Sequence, residues 1–293
     1  MYAFLATSVA LLALGATPPS GHEAITPPSY CAGIQPPSAS LPGATTYTYG
    51  TIGGRPLRVH VFQPATGGRH PAVLLFFGGG FRTGDVAVFV THAKALAAHG
   101  YVAAIADYRV QCRDGATAAE GVDDAQAAHG WLLAHADQLG VDRRRVVLMG
   151  GSAGGELAAA AALREPARDR PAALVLFNPV LDLTVGPWAE AMTPAQVSAY
   201  SASKLRIDRL PPTIIFHGMA DATVPIATSR EFCQRATAAG RVCELVQYPG
   251  LVHSFYMRHD RISALGLVPY DDTMTNAFAF LDRVLQPARS TPR

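Results

Sequence analysis

Net charge is almost absent from this sequence, where 24 Lys and Arg stand against 22 Asp and Glu for a formal balance of +2. A nearly neutral chain has no field that would gather nucleic acid or anionic lipid, so neither is expected as a partner. Charged residues make up only 16% of the chain and apolar residues 49%, and no long polar or repeated tract follows residue 44, which excludes a largely disordered chain or a solenoid. Cysteine is also sparse, with four residues, and neither C-x-x-C nor H-x-x-x-H occurs. A zinc site or a thioredoxin-like redox site is therefore not supported, and no metal or cofactor is expected. The run Arg143-Arg144-Arg145 reads as a solvated turn face before a strand, with an acidic-ligand patch as the alternative, and it is assigned no function.

Residues 1–16 are almost unbroken in their apolar character and end on Ala13-Leu14-Gly15-Ala16, the pattern of a secretory signal peptide too short for a membrane anchor. No Lys or Arg precedes the apolar run, which leaves a misplaced start or a buried segment as the alternative and, with it, a cytoplasmic location. Export to the periplasm or the medium fits the cysteines, because an oxidising compartment permits disulfides. Cys233 falls on a predicted helix and Cys243 on the next strand, so they are expected to bridge across the turn at Gly240; elimination then pairs Cys31 with Cys112. From 17 to 43 the chain is rich in Pro, Ser and Gly, with three Pro-Pro pairs, and reads as an extended linker before one catalytic domain over 44–293.

Within that domain Leu57, Val59 and Val61 alternate with Arg58 and His60 as in a half-buried strand. Runs apolar on both faces follow at 72–77, 101–106, 146–149, 172–177 and 213–216, as in a parallel sheet covered on both sides. Helical stretches lie between them at 88–99, 118–139, 153–163 and 226–239, three of the four stopped by Gly100, Gly140 and Gly240. The alternation predicts an α/β fold with a doubly wound, mostly parallel sheet, helices on both faces, and a site at the strand ends.

Gly150-Gly151-Ser152-Ala153-Gly154 matches G-x-S-x-G directly after the strand 146–149 and directly before an Ala-rich helix. A glycine-rich turn could carry the same letters, but this context is the one in which the motif exposes a strained nucleophilic serine. A serine needs a base to accept its proton, and the base needs a partner that holds its tautomer. His253 lies on the loop after the strand 243–248, and Asp221 on the loop after 213–216, in the chain order Ser, Asp, His. Asp182, after the preceding strand, is the competing acid; His217, His92 and His99 read as structural or surface residues. Attack on an ester carbonyl builds charge on oxygen, and Gly78-Gly79-Gly80, after Phe77, with Ala153 behind the serine, can offer backbone N–H groups to it, unless the glycines form only a flexible loop.

With these motifs, and with Ala106-Asp107-Tyr108-Arg109 and Phe177-Asn178-Pro179-Val180-Leu181-Asp182, residues 44–286 resemble the α/β-hydrolase esterases of the hormone-sensitive-lipase type, and among them bacterial enzymes similar to acetyl-xylan and feruloyl esterases. The resemblance implies an α/β-hydrolase fold with a short cap, a triad of Ser152, Asp221 and His253, and oxyanion donors Gly79, Gly80 and Ala153. One departure stands out: Phe77 replaces the histidine that usually precedes the three glycines, so whatever braces that loop must differ. The implied substrate is a small-molecule or carbohydrate ester with a short acyl group, since the stretch 183–210 is too short for a large lid. A peptidase of the same fold would need an added domain or an amine-binding pocket, and a non-catalytic module would be expected to lack a triad member. Oligomeric state is not legible.

Overall fold

The computed structural model describes residues 29–189 and 191–286. The apolar segment 1–16 and the first part of the linker, 17–28, lie outside them.

Eight strands form one sheet: β1 (Thr45–Ile52), β2 (Arg55–Phe62), β3 (His70–Phe76), β4 (Val102–Ala106), β5 (Val141–Gly151), β6 (Ala173–Phe177), β7 (Thr213–Gly218) and β8 (Cys243–Tyr248), in the order β1-β2-β4-β3-β5-β6-β7-β8. β1 and β2 are antiparallel to their neighbours; the other pairings are parallel. The all-apolar runs are the central strands. Every residue of β4 and β6 is buried, as two-sided cover requires. β1 is a strand that neither an apolar run nor a clean alternation announces. Its sequence TTYTYGTI is half exposed at the sheet edge, and its register slips between Thr48 and Gly50.

The α-helices are α1 (Val90–Ala98), α2 (Gln111–Asp114), α3 (Ala118–Ala134), α4 (Ala136–Leu139), α5 (Ala153–Arg164), α6 (Pro194–Tyr200), α7 (Ile226–Ala238) and α8 (Pro269–Val284). The helix expected over 118–139 is two helices that break at His135. Its start is fixed by Thr117 and Glu120, which exchange capping hydrogen bonds with each other's backbone. α8 begins on Pro269 and stacks on α1, with His99 against Phe278 at 3.9 Å and His92 edge-on to Tyr270 at 4.9 Å between ring centroids. Strand order reverses after β3: α1 leads one way to β4, whereas α3, α5 and α7 lead the other way. Right-handed crossovers then put α1 on one face and those three on the other. The α-helix after β5 is alanine-rich, and Ala153 through Leu163 are all buried, which lets its backbone lie close to the sheet.

Both disulfides join the expected partners. Cys233 of α7 bridges Cys243 of β8, and Cys31 bridges Cys112 of α2. In its described part, 29–43, the Pro-rich segment has neither strand nor α-helix, but it is fastened to the domain. Beyond the disulfide, Ser38 donates from its N–H and its hydroxyl to Asp85, at 2.7 and 2.8 Å, and Leu41 is buried in the core.

Candidate active site

The crevice between the ends of β3 and β5 is where the strand order reverses, the place where an open α/β sheet leaves room for a ligand. Two loops meet there. β5 turns directly into α5 through Ser152, whose backbone is held at φ 55° and ψ −120°. The turn is too tight for side chains beside it: a Cβ on Gly150 would stand 2.1 Å from the Gly154 carbonyl oxygen, and one on Gly154 would stand 2.0 Å from that of Phe76. This is the physical content of the G-x-S-x-G spacing.

β7 and β8 deliver the other two expected residues to the same point. His253 Nε2 lies 3.0 Å from Ser152 Oγ, and His253 Nδ1 lies 2.7 Å from Asp221 Oδ2. Asp221 Oδ1 accepts from the N–H groups of Thr223 and Val224, each at 2.9 Å. Burial opposes ionisation of Asp221, but hydrogen bonds from His217, His253 and the Val224 amide outweigh it and hold the carboxyl well below the usual carboxylate range. The competing acid, Asp182, is turned elsewhere and pairs with Lys204 at 3.1 Å and with Thr184.

The structure also brings in two residues to which the sequence reading gave no part in the site. His217 is fully buried behind Asp221, with Nδ1 at 2.8 Å from Ser229 Oγ, and Nε2 at 2.9 Å from the Val224 carbonyl and 3.4 Å from Asp221 Oδ2. Asn178 sits at φ 34°; its Oδ1 accepts from the Ser254 N–H at 3.1 Å, and its Nδ2 lies 3.5 Å from His253 Nε2. Its place in Phe177-Asn178-Pro179, directly after β6, was the available signal. His92 is buried in a cage of aromatic rings and His99 is exposed.

Gly78, Gly79 and Gly80 line one cavity with Ser152 and His253, a space of about 310 Å³ closed on one side by Trp188 from the segment 183–210. Among the described residues neither the Gly79 nor the Gly80 N–H donates to a backbone carbonyl. The Ala153 N–H opens α5, where amides have no partner within the helix. The loop is braced without a histidine. The Phe77 ring stacks on Tyr108 at 4.1 Å, the Tyr108 hydroxyl donates to the Phe77 carbonyl at 2.7 Å, and Arg113 donates to the Gly84 carbonyl at 2.6 Å. Above α5 the cap is brief, consisting of α6 and short 3-10 turns. Glu156, fully buried in α5, meets it there: Oε1 accepts from the Ala202 N–H at 2.8 Å, and Oε2 has no partner among the described residues. Burial pushes this carboxyl well above its ordinary range.

The BD-FAE family model matches residues 59–199. Among curated proteins, esterase LipI of Mycobacterium tuberculosis is 35% identical over 128 residues, and esterase LipC of the same organism is 28% identical over 217 residues. The chain spans 38% of the length of LipI and 53% of LipC. Solved structures of an esterase from Thermogutta terrifontis are similar over nearly their whole length. The native form is 33% identical with a TM-score of 0.76, covering 90% of this chain and 100% of that one. The propionate-bound form is 34% identical with a TM-score of 0.74, covering 85% of this chain and 97% of that one.

Proposed function

Because the chain belongs to the α/β-hydrolase esterases of the hormone-sensitive-lipase type, we propose that it hydrolyses short-chain carboxylic esters through an acyl-enzyme on Ser152. The observation that carries this reading is the unbroken chain of contacts from Ser152 Oγ to His253 at 3.0 Å and from His253 to Asp221 at 2.7 Å, set beside free backbone N–H groups.

In this reading Ser152 Oγ attacks the ester carbonyl carbon while its proton passes to His253 Nε2. Asp221, kept ionised, holds His253 with Nδ1–H toward the carboxylate and stabilises the imidazolium that forms. The N–H groups of Gly79, Gly80 and Ala153 receive the carbonyl oxygen as it becomes an oxyanion, a contribution of about 3–4 kcal/mol for one such donor. Collapse breaks the bond to the alkoxy group, which leaves as the alcohol with the proton from His253. Water then attacks the acyl-enzyme, gives its proton to His253, and releases the acid and the free serine.

Two observations support a short acyl group. The cavity of about 310 Å³ is small and its cover brief, and the T. terrifontis esterase has been solved with propionate and with butyrate bound. An acetyl ester of a carbohydrate or small alcohol is the substrate class the sequence resemblance implies. Export is part of the same proposal: the two disulfides suit an oxidising compartment, and among the described residues no helix is long and apolar enough to cross a membrane.

The test is a panel of p-nitrophenyl esters with two to twelve acyl carbons, run on the wild type and on Ser152→Ala. The wild type should peak at about two to four carbons and fall clearly by eight, because each buried methylene that fits is worth about 0.8 kcal/mol and each that does not fit is excluded. Ser152→Ala should lose several orders of magnitude in kcat/KM while remaining folded. A maximum at ten or more carbons would overturn the short-acyl reading, and a Ser152→Ala variant of near wild-type turnover would overturn the nucleophile.

A further inference from the structure

Two polar groups in the wall of the Ser152 cavity have no protein partner among the described residues, the Trp188 indole N–H and the Tyr256 hydroxyl, and the hydroxyl is the one set beside the nucleophile's own turn. Tyr256 is only 3% exposed, and its ring is held on three sides: stacked on Phe177 at 4.5 Å, parallel to Phe89 at 6.1 Å, and edge-on to His92 at 5.9 Å between centroids. The residue forms part of the cavity wall. Among the described residues its hydroxyl makes no hydrogen bond, and burial alone raises its proton affinity. Thr223 and Ser254 also reach this wall, but both are exposed, so bulk water serves them.

The hydroxyl ends next to the nucleophile. A Cβ built on Gly151 would lie 2.1 Å from Tyr256 Oη, so the phenol fills the space that a side chain at the position before Ser152 would take. Gly151 and Tyr256 are thus one feature: the glycine leaves room, and the tyrosine brings a fixed donor and acceptor to within a residue of the reacting serine.

We propose that Tyr256 is a specificity-determining residue whose hydroxyl hydrogen-bonds a hydroxyl group carried by the substrate close to its scissile ester. The inference rests on the esterase reading above and narrows its substrate class to hydroxylated esters, with the hydroxyl on the acyl or the alcohol side. The selection acts mainly against the wrong substrate. In the free enzyme water can satisfy the phenol; an apolar substrate expels that water and leaves the phenol unpaired, whereas a hydroxylated one replaces the lost bond. Because the ring is locked by packing, no ordering is needed at the moment of binding.

Matched ester pairs test this. The acyl arm compares p-nitrophenyl 3-hydroxybutyrate with p-nitrophenyl butyrate, and the alcohol arm compares 2-hydroxyethyl acetate with ethyl acetate. Each is measured as kcat/KM on the wild type and on Tyr256→Phe, with a thermal melt to verify that the variant is folded. In one arm the wild type should favour the hydroxylated ester by about tenfold, the effect of one good hydrogen bond. Tyr256→Phe should bring that ratio close to one, chiefly through slower turnover of the hydroxylated ester, and the arm that responds locates the group. A wild type with no preference in either arm, a Tyr256→Phe variant that keeps the preference, or an equal loss on all four esters would overturn the proposal. A wild type inactive on every ester would instead count against the esterase reading itself.

Discussion

Asp221 and Asp182 both follow strands of the same sheet, yet only Asp221 lies against His253, and its two backbone N–H bonds fix the carboxylate before any substrate arrives. Asp221→Asn should therefore cost about ten-thousandfold in kcat/KM, because an amide no longer selects the tautomer in which Nε2 is free to accept the serine proton. Asp182→Asn should change it no more than a few-fold; the reverse ranking would move the acid. Glu156 carries a different prediction. In the unfolded chain this carboxyl ionises near pH 4, whereas burial keeps its proton on in the folded protein to much higher pH. The folded state then holds more protons than the unfolded one, so this group lowers stability as pH rises, by up to about 1.4 kcal/mol per unit. Glu156→Gln keeps an acceptor for the Ala202 N–H and removes that dependence. Melting curves at pH 5 and pH 8 should show the wild type losing more than the variant, and equal losses would contradict the assignment. At this scale the meeting of Ser152, Asp221 and His253 was legible because strand-end loops are short and each carries one candidate. Tyr256 was not, because an aromatic residue three positions after a histidine reads as core until a neighbouring glycine is seen to make room for its hydroxyl.

The bridge between α7 and β8 closes a short loop, with a sequence separation of 10. Its chief effect falls on the unfolded chain, and a loop of this size is worth about 2–3 kcal/mol. The double variant Cys233→Ala/Cys243→Ala should lose that much in denaturant unfolding while keeping its activity per folded molecule, because neither cysteine lines the Ser152 cavity. No loss of stability would contradict the entropic account; lost activity in the folded variant would mean that the β8 loop bearing His253 depends on the bridge. Elements were readable in proportion to their burial. The central strands and α5 announce themselves as apolar runs, whereas β1 is a polar edge strand whose Thr and Tyr residues give no clean alternation. The break at His135 was hidden because the apolar spacing continues through it, and the contacts at the break are local: the His135 ring stacks on Trp131 one turn earlier at 4.3 Å, and its Nδ1 stands 2.8 Å from the Trp131 carbonyl.

For the molecule as a whole, the sheet brings three loops that are far apart in sequence to one crevice, and their meeting is what the order Ser, Asp, His anticipates in one dimension. The brace of the glycine loop could not be read that way. Tyr108 and Arg113 reach it from one segment, 108–113, which the Cys31–Cys112 bridge ties to the Pro-rich stretch, and they supply the support left open by the phenylalanine at position 77. In the proposed reaction Ser152 is the single nucleophile of this assembly. The most direct measurement of this is titration with a fluorophosphonate, following residual esterase activity and locating the label by peptide mass spectrometry. One equivalent should abolish activity with the label on Ser152. Full activity with Ser152 labelled, or activity lost with the label on another residue, would contradict the account.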